Sequence, residues 1–237
     1  MNSPAPYRQI CDLLAELCRP AGFDLLQPLQ VGWYNRAVSE AYRLPDFSEP
    51  SSLAVLVGNT RALWRPFCQA LSGDDALATA VAPLDEYTER VLRAAVDGLA
   101  VPSVVRFGHQ PPPHRVAMQR LAHVAGLAYL APSHLSVHPV YGPWIALRAV
   151  VVIDRPGPPG PAPEPPRPCE CEGHCLPFLE RALADSQELA QRSVQASWRS
   201  WLAIRDACPV GRQHRYGERQ IRYHYLHDRD ALRPEDG

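Results

Sequence analysis

Residues 156–168 read PGPPGPAPEPPRP, and no other stretch limits the fold as strongly. Proline fixes φ and lacks a backbone N–H, so this segment can neither continue a helix nor form a central strand. It is expected to be an extended connector of polyproline type. The 26 prolines include a second run, Pro111 to Pro113. The connector suggests three parts: a mixed N-terminal core (1–155), the connector with a cysteine cluster (156–175), and a helical C-terminal part (176–237).

Within the first part, Ile10, Leu13, Leu14 and Leu17 recur at helical spacing, and Pro20-Ala21-Gly22 ends that helix. The apolar run Leu53 to Val57 predicts a buried strand. Asn59-Thr60 then offers a cap for a helix through Leu63, Trp64 and Phe67. Leu84 to Leu99 has the pattern of an amphipathic helix with Tyr87, Val91, Leu92 and Val96 on one face. Val101 to Phe107 is rich in strand formers, and His114 to Leu127 again has helical spacing. Gly142 to Ile153, GPWIALRAVVVI, carries the strongest strand signal. Beyond the connector, helical patterns cover Leu176 to Leu189 and Val194 to Asp206. Helices and strands alternate without a regular βαβ beat, which places the chain in the α+β class.

A formal net charge of −1 argues against a broad nucleic-acid surface. No stretch reaches the ~20 apolar residues of a membrane span, and Met1 to Arg8 has no signal-peptide core, so a cytoplasmic protein is expected. Seven cysteines, an odd number, fit a fully paired secreted set poorly. There is no G-x-S-x-G elbow and no glycine-rich phosphate loop.

Five segments, in order, resemble the methylmalonic aciduria and homocystinuria type C family. They are VGWYN (31–35), AHVAG (122–126), VHPVYGPWIALR (137–148), RDACP (205–209) and RYGERQIRYHY (215–225). The resemblance implies a flavin-nitroreductase-like fold with a C-terminal helical cap. It also implies cobalamin bound base-off over the sheet, with its upper axial ligand removed by a reduced flavin (FMN or FAD) or by a thiol such as glutathione. A chaperone that binds cobalamin without turnover, and a cobalamin-dependent enzyme of another reaction class with a metal or iron–sulfur site at the cysteine cluster, are the alternatives. Partners are then cobalamin and a thiol, with no nucleic acid and no membrane, and a homodimer is among the expectations.

The residues themselves suit a corrin, a large amphipathic plate that needs apolar walls and a few fixed polar groups. His123 lies among small neighbours, Ala122, Val124, Ala125 and Gly126, which let a plate approach the backbone; a core histidine is the plain alternative. Trp33, Tyr34, Asn35 and Trp144 are expected to line the pocket, or else to pack in the core. His138-Pro139 and Tyr141-Gly142 suggest a turn at the pocket mouth. Trp144 and Arg148 are four apart, on one face if both lie in the strand. Arg148 interrupts an apolar strand, where a charge needs a partner or a cavity. By the resemblance, Arg148 and Arg205 bind the thiol and act in catalysis; ion pairs with acidic neighbours, such as Asp206 for Arg205, compete with that role. A third family arginine has two candidates here, Arg229 and Arg233.

Cys169, Cys171 and Cys175 (C-x-C-x₃-C) set the chain apart from the human-type member, and Cys208-Pro209 supplies a further thiol, with His174 another ligand. Zinc held tetrahedrally, an iron–sulfur cluster with spacing unlike the C-x₂-C-x₂-C-x₃-C-P run, and a redox dithiol are three open readings. A ligand-free loop is the fourth.

Overall fold

The computed structural model describes residues 6–47, 49–168, 173–189 and 197–233. The chain forms two compact units: Met1–Leu127 with Ala146–Pro165, and Ala128–Ile145 with Pro166–Gly237.

The first unit is built on a four-stranded sheet of order β1-β2-β6-β3, formed by β1 (Leu25–Gln30), β2 (Ser52–Asn59), β3 (Ser103–Phe107) and β6 (Ala146–Pro156). Every pairing in it is antiparallel. All eight residues of β2 and the run Ala149–Ile153 of β6 are buried. Successive side chains point to opposite faces, so both faces at the centre of the sheet are covered. That is why these two strands have continuous apolar runs and were legible as such. Each fully buried Val, Leu or Ile contributes roughly 1.5–3 kcal/mol. The edge strand β1 went unread because its sequence is LLQPLQ; Pro28 is tolerated there since an edge needs no donor on its open side.

Helices α1 (Pro6–Cys18), α2 (Val31–Asn35), α3 (Trp64–Gly73), α4 (Asp75–Thr79), α5 (Pro83–Asp97) and α6 (Met118–Val124) complete this unit. In α1 the buried residues are Leu14, Ala15 and Cys18, while Leu13 and Leu17 are about 40% exposed, at 40% and 41%. The buried stripe is therefore rotated from the leucine pattern expected. Thr60 caps the next turn as expected, its hydroxyl accepting the Ala62 N–H at 3.2 Å. Helix α6 starts at Met118 rather than His114. Ahead of it, the Ala117 N–H donates to the Tyr34 hydroxyl (2.9 Å) instead of to a preceding helical turn.

The second unit contains a short hairpin, β4 (Tyr129–Leu130) with β5 (Ser136–Val137), and the helices α7 (Leu176–Leu189), α8 (Trp198–Ala207) and α9 (Glu218–Leu226). One core cluster joins Ala131 and Val137 of the hairpin region to Cys175, Leu179 and Ala182 near α7 and to Ile204 and Cys208 near α8. A second joins Trp144 to Leu202, Tyr216 and Ile221. Among the described residues, no helix is long and apolar enough to cross a membrane.

Candidate functional site

In the first unit, three of the motif segments contribute elements that pack on the sheet or on one another. Helix α2, the VGWYN segment, packs on α6, β1 and β2, and α6 packs on β6. Trp33 is 6% exposed and Tyr34 fully buried. Burial pushes the Tyr34 hydroxyl pKa up, partly offset by the hydrogen bond from the Ala117 N–H. Asn35 uses both ends of its amide on one neighbour, Nδ2 donating to the Leu44 carbonyl and Oδ1 accepting the Leu44 N–H, each at 2.9 Å. It therefore clamps the loop after α2.

His123 is half-buried in the last turn of α6. That helix ends in a Schellman motif: the Gly126 N–H reaches the His123 carbonyl and the Leu127 N–H the Ala122 carbonyl. Gly126 has φ +74°, and a Cβ there would lie 2.9 Å from Pro163 Cγ. The close approach that this small residue permits is thus taken by the chain's own proline connector.

Arg148 sits at a fault in the ladder. Val57 pairs with Ala149 but Gly58 pairs with Leu147, so Arg148 is the extra residue of a β-bulge. Bulges re-aim a side chain and recur beside functional sites. The approach of the strands there is very close, since a Cβ on Gly58 would lie 2.6 Å from the Ala146 carbonyl oxygen. Arg148 Nε donates to Asn59 Oδ1 at 2.7 Å, and Asn59 is fully buried. At Nε the acceptor is a neutral amide. Asn59 Nδ2 in turn donates to the Thr60 carbonyl (2.7 Å), and Asp24 accepts from both the N–H and the hydroxyl of Thr60 at 2.7 and 2.6 Å. Sequence reasoning missed Asn59 and Asp24; the glycine at position 58, inside a strand pattern, was the one signal of a close backbone approach.

In the second unit, Trp144 is 1% exposed and precedes β6 rather than lying in it. Pro143 has no N–H for the ladder, and the Trp144 N–H closes a turn onto the Tyr141 carbonyl at 3.1 Å. The expectation that Trp144 and Arg148 share a strand face therefore fails. Two guanidinium groups flank the Trp144 ring, Arg205 at 5.8 Å and Arg215 at 5.6 Å from its centroid. They differ in charge balance. Arg215 is held by Asp206 (2.7 Å) and Glu218 (2.5 Å), which push its pKa up. Asp206 is thus committed to Arg215, and among the described residues the Arg205 guanidinium has no hydrogen-bond or ion-pair partner. Nearby, burial raises the Tyr225 pKa while the Arg205 charge lowers it. Arg233 pairs with Asp230 at 3.2 Å.

The expected turn is present: His138 and Gly142 exchange both backbone hydrogen bonds at 2.9 Å. His138 Nδ1 accepts the N–H groups of Val140 and Tyr141, at 3.1 and 3.2 Å, which puts the ring proton on Nε2. The Tyr141 ring lies between His138 and His214, both centroids 4.8 Å away. The Tyr141–Gly142 backbone rests directly on Val210–Gly211, so the turn and the segment after RDACP are packed together.

Cys175 and Cys208 are fully buried in one cluster. Cys169 and Cys171 lie outside the described residues. Among the described residues, no three His, Cys, Asp or Glu side chains are grouped to hold a metal ion. Cys175 and Cys208 alone do not complete a tetrahedral zinc or cluster site.

Comparison with known proteins bears out the family resemblance. The curated cyanocobalamin reductase / alkylcobalamin dealkylase proteins of Bos taurus and Homo sapiens are each 31% identical over 229 residues, covering 87% of this chain and 74% and 73% of theirs. The Danio rerio protein of the same name is 28% identical over 88% of this chain and 84% of its own. Among solved structures, the C. elegans B12-trafficking protein CblC, a human MMACHC homologue, superposes with TM-score 0.71 at 20% identity over 97% of both chains. A Bacillus subtilis epoxyqueuosine reductase shares the fold more distantly, with TM-score 0.51 at 14% identity over 96% of this chain and 68% of that one. A family model matches residues 22–233, and the chain belongs to the methylmalonic aciduria and homocystinuria type C family.

Proposed function

We propose that this chain binds cobalamin and removes its upper axial ligand, cyanide by reduction or an alkyl group by transfer to a thiol. The observation that carries this reading is the 31% identity, over 87% of the chain, to proteins named cyanocobalamin reductase / alkylcobalamin dealkylase. In dealkylation the thiolate sulfur bonds to the alkyl carbon. The cobalt–carbon bond breaks with its electron pair left on cobalt, and the thiol proton passes to solvent. For decyanation a bound reduced flavin (FMN or FAD) would supply the electrons that let cobalt release cyanide with its pair.

Two cations support the use of an acidic thiol such as glutathione. Arg205 has its stacking face on Trp144 and no carboxylate partner among the described residues. Arg148 is presented at a bulge and held through Nε by a neutral acceptor. A guanidinium presents further N–H groups in a fork that suits carboxylate, and suits a flavin phosphate equally. His123 at the end of α6 is assigned to the corrin. Trp33, Tyr34 and Gly126 in the first unit, and His138, Tyr141 and Trp144 in the second, are assigned to shaping the binding surfaces.

A second reading, cobalamin as the working cofactor of another reaction with a metal or cluster, is favoured by one observation: Cys175 and Cys208 share a buried cluster despite their distance in sequence. Metal and sulfide analysis of anaerobically purified protein tests it.

The main reading is tested by mixing the protein anaerobically with cyanocobalamin and reduced FMN, and separately methylcobalamin with glutathione, while following the corrin spectrum. Loss of the cyano form and appearance of S-methylglutathione, both faster than without protein, are expected. Binding without loss of either ligand would leave a chaperone and overturn the catalytic reading.

A further inference from the structure

We infer that Arg215 is a positioning residue: it holds the Asp206 carboxylate and so keeps the donors of Arg205 open for the anionic end of a thiol. The inference rests on the thiol-binding reading of Arg205 above and adds the residue that makes it effective. Both guanidinium groups lie over the Trp144 ring, 5.8 Å from its centroid for Arg205 and 5.6 Å for Arg215. Their hydrogen bonding is unequal. Every nitrogen of Arg215 has an acceptor. Nε and Nη2 donate to the two oxygens of Asp206 at 2.7 and 3.3 Å, and Nη1 donates to Glu218 at 2.5 Å and to the Tyr216 carbonyl at 3.4 Å. Arg205 shares the ring, yet among the described residues its guanidinium has no hydrogen-bond or ion-pair partner.

Arg205 and Asp206 are consecutive in the last turn of α8, and consecutive helical side chains diverge by about 100°. A carboxylate there meets the neighbouring arginine only if nothing else holds it, and the fork of Arg215 holds both of its oxygens. Partly exposed ion pairs of this kind add little to stability. What the pairing decides is which cation stays open. Glu218 completes the arrangement, because a guanidinium with two carboxylates on it has no donor left for a ligand. An arriving carboxylate therefore finds its fork on Arg205, whose plane rests on the Trp144 ring.

The test compares Arg205→Ala, Arg215→Ala and the double variant Arg215→Ala with Asp206→Asn, each first checked for an intact fold by circular dichroism and for cobalamin binding by the corrin spectrum. The readout is the ratio of kcat/KM for methylcobalamin dealkylation with glutathione to that with a neutral thiol such as dithiothreitol. Arg205→Ala should lower this ratio. Arg215→Ala releases Asp206 to compete for Arg205, and the ratio should fall by about tenfold, the factor corresponding to about 1.4 kcal/mol. Adding Asp206→Asn removes the competing carboxylate and should return most of that loss. A purely structural role for Arg215 would depress both thiols alike and would not be rescued by Asp206→Asn. If Arg215→Ala does not fold, Arg215→Lys replaces it, since one ammonium cannot reproduce the planar fork; the same loss and the same rescue are expected. A reduced ratio in Arg205→Ala, with either no loss in the Arg215 variant or no rescue by Asp206→Asn, overturns the inference and leaves the thiol reading standing. An unchanged ratio in Arg205→Ala overturns the thiol reading of Arg205 and this inference with it.

Discussion

The bulge that presents Arg148 depends on Gly58, and Gly58→Ala measures how tightly. A Cβ at this position would lie 2.6 Å from the Ala146 carbonyl oxygen, about 0.8 Å short of the 3.4 Å at which ordinary contact begins. The obstacle is backbone on the neighbouring strand, so no rotamer change relieves it. β2 and β6 must separate locally, which strains the pairs Gly58–Leu147 and Asn59–Ala146. Losing two ladder hydrogen bonds costs about 0.5–1.5 kcal/mol each. Loosened packing around the buried β2 and β6 side chains adds about 1–2 kcal/mol, and the lower chain entropy of unfolded alanine returns about 0.4–1 kcal/mol. The net loss is about 2–3 kcal/mol, or a Tm drop of roughly 5–10 °C for a chain of this size. Thermal denaturation followed by circular dichroism reads this directly. Gly73→Ala, at the end of α3 with nothing within 4 Å of the added carbon, is the matched control and should not lower Tm. A Gly58→Ala protein melting within about 1 °C of the parent would refute the close strand approach, and with it the geometry assigned to Arg148.

Arg205→Lys keeps the charge but loses the planar stack on Trp144, so glutathione-dependent dealkylation should weaken by about fivefold to thirtyfold, on the scale of ~1–2 kcal/mol for a partly buried cation–π contact; an unchanged KM for glutathione argues against the role. Asn35→Ala removes both hydrogen bonds to Leu44 and should cost about 1–3 kcal/mol in urea unfolding. Burial pushes the Cys18 thiol up to about 11 from 9.0. Because the folded-state value is the higher one, the native protein holds this proton more tightly. The Cys18 contribution to stability is therefore full below about pH 9 and lost as pH rises from 9 towards 11. Urea midpoints across that range should fall less in Cys18→Ala; equal slopes would contradict the burial argument.

How much of this was legible beforehand depends on whether the signal is local. β2 and β6 were readable because central strands are apolar on both faces, and α5 because its buried stripe follows the helical period. β1 was hidden by Pro28 and its glutamines, and the two-residue strands β4 and β5 are too short for any period. Trp144 was placed in the strand because the apolar run includes it, whereas Pro143 delays pairing until Ala146. Among the site residues, the motifs did bring Arg205 and Trp144 together. The hydrogen-bond partners of Arg148 and Arg215 were not visible. Asn59 is 89 positions from Arg148, and the Asn59-Thr60 pair was readable only as a cap, a task that Thr60 performs alone. Likewise Asp206 looked like the neighbour of Arg205 yet pairs with Arg215, a choice made by the packing of α8 and the segment leading into α9.

The account rests most directly on cobalamin being the ligand, and the absorption spectrum of cob(II)alamin or methylcobalamin titrated with the purified protein tests that claim. A saturable shift from the base-on to the base-off spectrum, at about one corrin per chain and weakened in His123→Ala, is the predicted result. A spectrum that stays base-on at all protein concentrations, with no cobalamin retained on gel filtration, would contradict it.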